Sequence, residues 1–177
     1  MCIRDSTYRA VRSSGSISIE ANWTANTQQI NKRWYFYRQT KRWKLIVAEF
    51  SEHYILPAAS TSSPSGVRLE FPSGILLLHF DYDKEGIVYH SGLRFERVRA
   101  HRHVTELHCP AWKIESSYDR LVQISDSKWI TELLDSTPDD QRNSWKLNHY
   151  MIYLDSDGCY EIVAETWSDL PEKTGSL

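Results

Sequence analysis

From Leu147 to Trp167, apolar and aromatic residues crowd two runs on either side of Asp155-Ser156-Asp157-Gly158. β-branched and aromatic residues suit a pleated surface, and an Asp/Gly-rich link suits a tight turn, with Gly158 free to take a left-handed backbone. The pattern predicts an antiparallel hairpin. Upstream, Ile17, Ile19, Ala21 and Trp23 alternate with polar residues, which predicts a short strand, while residues 24–31 are polar and read as weakly structured. Trp43 to Phe50 reads as a strand, and Pro57 to Gly66 reads as a loop.

Val67–Phe71 alternates, and Ile75–Phe80 is apolar enough for a buried central strand. Asp81–Gly86 reads as a turn, Ile87–His90 as a strand, and Ser91-Gly92 as a break. Leu93 then opens one long strand to Cys109, which Pro110 ends or confines to a sheet edge. Tyr118–Ile124 is a further strand. Asp126 is placed to cap a helix whose apolar face is Trp129, Ile130, Leu133 and Leu134. Pro171 to Leu177 reads as a loose tail.

Short strands at spacings of about 8–12 residues, with turn signals between them, predict an α+β fold that is mainly β. The expected form is an antiparallel sheet, or a partly open β-barrel or sandwich, with one or two short helices. No repeat of solenoid or propeller length is present. Residues 1–42 read as a basic N-terminal extension, 43–170 as a single β-rich domain, and 171–177 as the tail. Residues 1–6 resemble translated sequencing-adaptor read-through of assembled environmental gene models, a resemblance that implies a native start further downstream.

Composition changes this picture in three ways. Aromatics make up 12% of the 177 residues, with seven Trp and ten Tyr, a density that suits sheets and binding surfaces. The net charge is −2, but residues 1–44 carry nine Lys or Arg against two acids, and the rest of the chain is acidic. The three cysteines are an odd number without a disulfide spacing, which points to reduced thiols in the cytoplasm. No apolar run is long enough for a signal segment or a membrane span, so no membrane partner is expected.

The most chemically loaded run is Leu93 to Cys109. On one continuous strand, Arg97, Arg99, His101 and His103 share a face, a cationic row suited to an anion or to an acidic partner surface. His101-x-His103 also has the spacing of two metal ligands on one strand face, with Glu106 nearby as a third, for zinc or another divalent metal. This order is similar to the cupin pattern, in which His-x-His and a following Glu bind metal inside a jelly roll. The gap between His103 and Glu106 is shorter than in that family, and no second His-bearing motif follows. Strand parity also turns Glu106 away from the histidines.

The run from Trp34 to Trp43 combines rings with Arg38, Lys41 and Arg42, so Trp34, Arg38, Lys41 and Arg42 are the candidates for stacking on bases and meeting phosphates. The acidic body makes nucleic acid the weaker expectation. For nucleophilic catalysis, His108 beside Cys109 faces the wrong way, and Cys159 needs His149 across the hairpin. Asp155 and Asp157 read as turn chemistry, not as a calcium loop. The seven glycines do not form a phosphate-binding loop. The leading expectation is a small, soluble, non-enzymatic protein-binding domain of the inhibitor or immunity-partner kind. A metal-binding barrel enzyme and a nucleic-acid binder are the alternatives.

Overall fold

The computed structural model describes residues 7–13, 16–25, 28–39, 42–63, 65–155 and 157–177, with side chains described from residue 49 onward. The chain forms two compact units, one of Met1–Ser51 with Ile124–Asp126 and one of Glu52–Gln123 with Ser127–Leu177.

The first unit is an antiparallel meander of β1 (Thr7–Ser13), β2 (Ser16–Ala25), β3 (Gln28–Gln39) and β4 (Arg42–Ile55), whose last residues belong to the second unit. Polar residues 24–31 are not weakly structured throughout. Trp23 pairs with Ile30 and Thr24 with Gln29, continuing the β2–β3 ladder. Backbone hydrogen bonds extend a long hairpin without any need for apolar side chains.

The second unit holds two mostly antiparallel sheets that do not close into a barrel. In the first sheet the order is the end of β4, then β9 (Arg120–Ile124), β10 (Asn148–Leu154), β11 (Gly158–Ala164) and β8 (Ala100–Val104). In the second it is β12 (Thr166–Thr174), β7 (Ile87–Glu96), β6 (Leu76–Lys84) and β5 (Val67–Glu70). Three short helices complete the unit: α1 (Ala111–Ser117), α2 (Lys128–Asp135) and α3 (Asp139–Arg142). Among the described residues no helix is long and apolar enough to cross a membrane.

The expected hairpin is the centre of this unit, with Tyr153 opposite Cys159 and His149 opposite Val163. Alternation divides it. Tyr150, Ile152, Leu154, Tyr160, Ile162 and Ala164 enter the core with Leu76, Leu78, Phe80, Leu93 and Phe95 of the second sheet. Burial of one such side chain stabilises the fold by about 1.5–3 kcal/mol. The other parity, His149, Met151, Tyr153, Cys159, Glu161 and Val163, is also buried. Helices α1 and α2 contact β10 and cover that face.

Several boundaries differ from the sequence reading. Ser91-Gly92 does not break a strand; it lies inside β7, where a Cβ on Gly92 would sit 2.5 Å from the Leu78 carbonyl oxygen. The glycine permits close strand approach. The break comes at Arg97 instead, whose φ is +52°. The run from Leu93 to Cys109 is therefore not one strand: β7 ends in one sheet, β8 begins in the other, and a 3-10 turn follows at Glu106–His108.

Helix α2 is capped by Ser127, whose Oγ accepts from the Ile130 N–H at 3.3 Å, because Asp126 has a φ of +53°. Pro110 starts α1 as its N-cap. The stretch read as a loose tail continues as β12 to Thr174, with Pro171 accommodated where the register to β7 shifts between Leu170 and Lys173.

Candidate functional site

The break at Arg97 disperses the expected cationic row. Arg97 pairs with Glu165 at 3.0 Å, and the Arg99 guanidinium lies over the Trp145 ring at 4.1 Å. Only His101 and His103 share strand β8, opposite Ile162 and Tyr160. These partners point into the sandwich core, so both imidazoles lie on the inner side of the sheet, at its rim. The His101 ring meets Phe71 with centroids 5.5 Å apart, and the His103 ring stacks on Tyr160 at 4.4 Å. His103 Nε2–H donates to the Asp157 carbonyl at 3.1 Å.

β8 ends its sheet, and among the described residues no strand pairs with its outer edge. His101, Arg102 and His103 are exposed there. Phe71, just past β5, is 50% exposed, and Leu107, just past β8, is 92% exposed. The result is an open strand edge bearing cationic and titratable groups, with apolar side chains close by.

Glu106 sits on the 3-10 turn after β8, outside the strand that carries the two histidines. Among the described residues no group of three or more His, Cys, Asp or Glu is placed to hold a metal ion. Of the nucleic-acid candidates, Lys41 lies outside the described residues, as do the side chains of Trp34, Arg38 and Arg42. On the backbone, Trp34 pairs with Val47 and Arg38 with Trp43 in the β3–β4 ladder.

The helix-covered face of β11 carries a cluster that the sequence reading missed. Glu161 is 1% exposed and directly opposite Arg102 on β8. Arg102 donates to Glu161 Oε1 from Nε at 2.7 Å and also from its terminal nitrogen, and Lys113 of α1 donates to Oε2. Lys113 is 8% exposed and His149 4%. His149 Nε2 lies 3.3 Å from Glu161 Oε1, off the direction of a hydrogen bond, and Nδ1 shares a hydrogen bond with Ser127 Oγ at 2.7 Å. Trp129 roofs the group, with the Arg102 guanidinium 4.1 Å from its ring and its edge toward His149.

Burial lowers the Lys113 ammonium below its usual range, and Arg102 lowers it further. Burial, with Arg102 and Lys113 beside it, lowers His149 to about 3. Ser127, His149 and Glu161 thus stand in the order of a hydrolytic triad without its chemistry. A base that holds its proton so weakly gives little general-base catalysis near neutrality, and Ser127 Oγ is engaged by the helix N-terminus.

Cys159 does not face His149; it lies near Cys109, whose thiol donates to the Pro110 carbonyl at 3.9 Å. A charged residue and a histidine inside runs buried on both faces are the signal that could have found this cluster.

A cavity of about 350 Å³ is lined by Ser60, Ser63, Asp81, Asp155 and Asp157 among others. Its carboxylates are engaged by the fold. Asp81 accepts from Ser63 Oγ and the Ser65 N–H, Asp155 from the Tyr118 hydroxyl, and Asp157 from the Tyr160 hydroxyl. No family model, curated protein or solved structure matches the chain.

Proposed function

We propose that this protein works by binding an extended acidic segment of a partner protein along the outer edge of β8. The observation that carries the reading is the position of β8 as the last strand of its sheet, with His101, Arg102 and His103 exposed. A strand that enters there gains main-chain hydrogen bonds from a row of unpaired backbone groups. Side-chain chemistry then selects the partner. Cationic and titratable groups favour acidic side chains, and the half-exposed Phe71 ring beside His101 offers an apolar contact. The same charges disfavour a second copy of this strand, since like charges would face one another. Two free thiols among the described residues suit a reducing compartment such as the cytoplasm.

The test is fluorescence anisotropy with a labelled short peptide alternating Glu and Val, against a Lys/Val peptide of equal length. The acidic peptide is expected to bind, more tightly as salt is lowered. His101→Glu together with His103→Glu is expected to weaken it about tenfold. Equal binding of the basic peptide, or binding indifferent to the two substitutions, overturns the reading.

A further inference from the structure

We propose that Cys109 and Cys159 are a redox-active dithiol that reduces a hydroperoxide and closes into a disulfide. The proposal starts from backbone geometry. Gly158 opens β11 with a φ of +129°, and a Cβ there would lie 2.3 Å from the Val104 carbonyl oxygen and 2.9 Å from Thr105 Cα. Only glycine permits β11 to start this close to the end of β8. The 3-10 turn that follows β8 contacts β11. The Cys109 N–H closes that turn on the Glu106 carbonyl at 3.0 Å. The turn brings Cys109 up to the start of β11, where Cys159 follows Gly158, and the two thiols act on each other there.

The surroundings divide the roles. Cys109 is half-buried and open to a small oxidant, and Cys159 is fully buried behind it. Lys113 and Arg102 are cations beside the pair, and their buried counter-ion is the single carboxylate of Glu161. Glu132 on α2 acts on Arg102 from the exposed side. One negative charge on sulfur balances the buried group. The neighbouring Cys159 thiol and the charge of Lys113 lower Cys109 below the usual thiol range, and Cys159 is raised by Cys109 and by burial. The attacking thiolate is therefore Cys109, and Cys159 resolves it.

The steps balance. The Cys109 thiolate attacks the terminal oxygen of ROOH; the S–O bond forms, the O–O bond breaks, and RO⁻ leaves and takes a proton to give ROH. Cys159 then loses its proton and attacks the Cys109 sulfenic sulfur. The S–S bond forms, the S–O bond breaks, and hydroxide leaves with a proton as water. Two thiols are oxidised and one hydroperoxide is reduced.

The experiment uses the full chain in a Cys2→Ser background with stoichiometric hydrogen peroxide, read by mass spectrometry of a non-reduced digest. The expected product is one Cys109–Cys159 disulfide, reversed by dithiothreitol. In Cys159→Ser, Cys109 sulfenic acid is expected to accumulate and be trapped by dimedone. In Cys109→Ser, Cys159 is expected to stay unlabelled. A measurement that needs no substitution at the pair is the pH profile of Cys109 alkylation by iodoacetamide, with its midpoint expected below that of free cysteine. Thiols that stay reduced, react no faster than glutathione, or show an ordinary alkylation midpoint overturn the proposal.

Discussion

Arg102 and Glu161 are direct cross-strand partners, yet the Arg102 side chain is 44% exposed and that of Glu161 only 1%. The edge strand therefore presents two chemistries. His101 and His103 lie over the rim of the sandwich, and Arg102, on the opposite parity, reaches under the helices to a carboxylate that also holds Lys113. One strand offers a surface for a partner and anchors a buried charge cluster.

That cluster predicts an asymmetry between two substitutions. Glu161→Gln leaves Arg102 and Lys113 without their shared carboxylate, and loss of one side of a buried pair costs about 3–5 kcal/mol. Lys113→Met removes one of the two cations and leaves the Arg102–Glu161 pair intact, so its cost is expected to be clearly smaller. Urea denaturation at neutral pH measures both. Equal costs would mean that Glu161 is not the common anchor.

His149 predicts an acid sensitivity. Its folded value of about 3 lies below the ordinary 6.5, so the unfolded chain binds a proton that the folded chain does not. The stability that comes from keeping it neutral is fully present above the ordinary value. It is lost as pH falls through the window between 6.5 and about 3. Between neutrality and pH 5 this single group accounts for a loss of about 2 kcal/mol. Chemical denaturation of the parent and of His149→Gln across that window isolates the effect, since the carboxylates titrate in both. An equally steep decline in His149→Gln would contradict it.

Gly158→Ala combines a strained positive φ with a Cβ placed against backbone at Val104 and Thr105. Strain of this kind costs about 1–3 kcal/mol before the clash is counted. The substitution is expected to lower the melting temperature and to slow disulfide formation between Cys109 and Cys159, because it pushes the turn after β8 away from β11. Unchanged melting would show that the two segments do not approach so closely.

The hairpin at the centre of the second unit was legible because Tyr150, Ile152, Tyr160 and Ile162 are β-prone and Asp155 to Gly158 favours a turn. The mainly β, mostly antiparallel fold was legible for the same reason. The site was much less so. Arg97 carries no sequence mark of a left-handed backbone, and that one residue sends His101 and His103 to a different sheet from Arg94 and Glu96. The charge cluster joins Arg102, Lys113, His149 and Glu161 from β8, α1, β10 and β11, a convergence set by tertiary packing that no local spacing records. Cys109 and Cys159 are likewise joined only by the turn after β8 and the close start of β11.

Amide hydrogen exchange along β8, with and without the Glu/Val peptide, tests most directly whether this edge receives a partner strand. Saturating peptide is predicted to slow exchange of the outward-facing amides within Ala100–Val104 and to leave β12, an edge of the other sheet, unchanged. Protection confined to another segment, or exchange along β8 that the bound peptide leaves untouched, would contradict it.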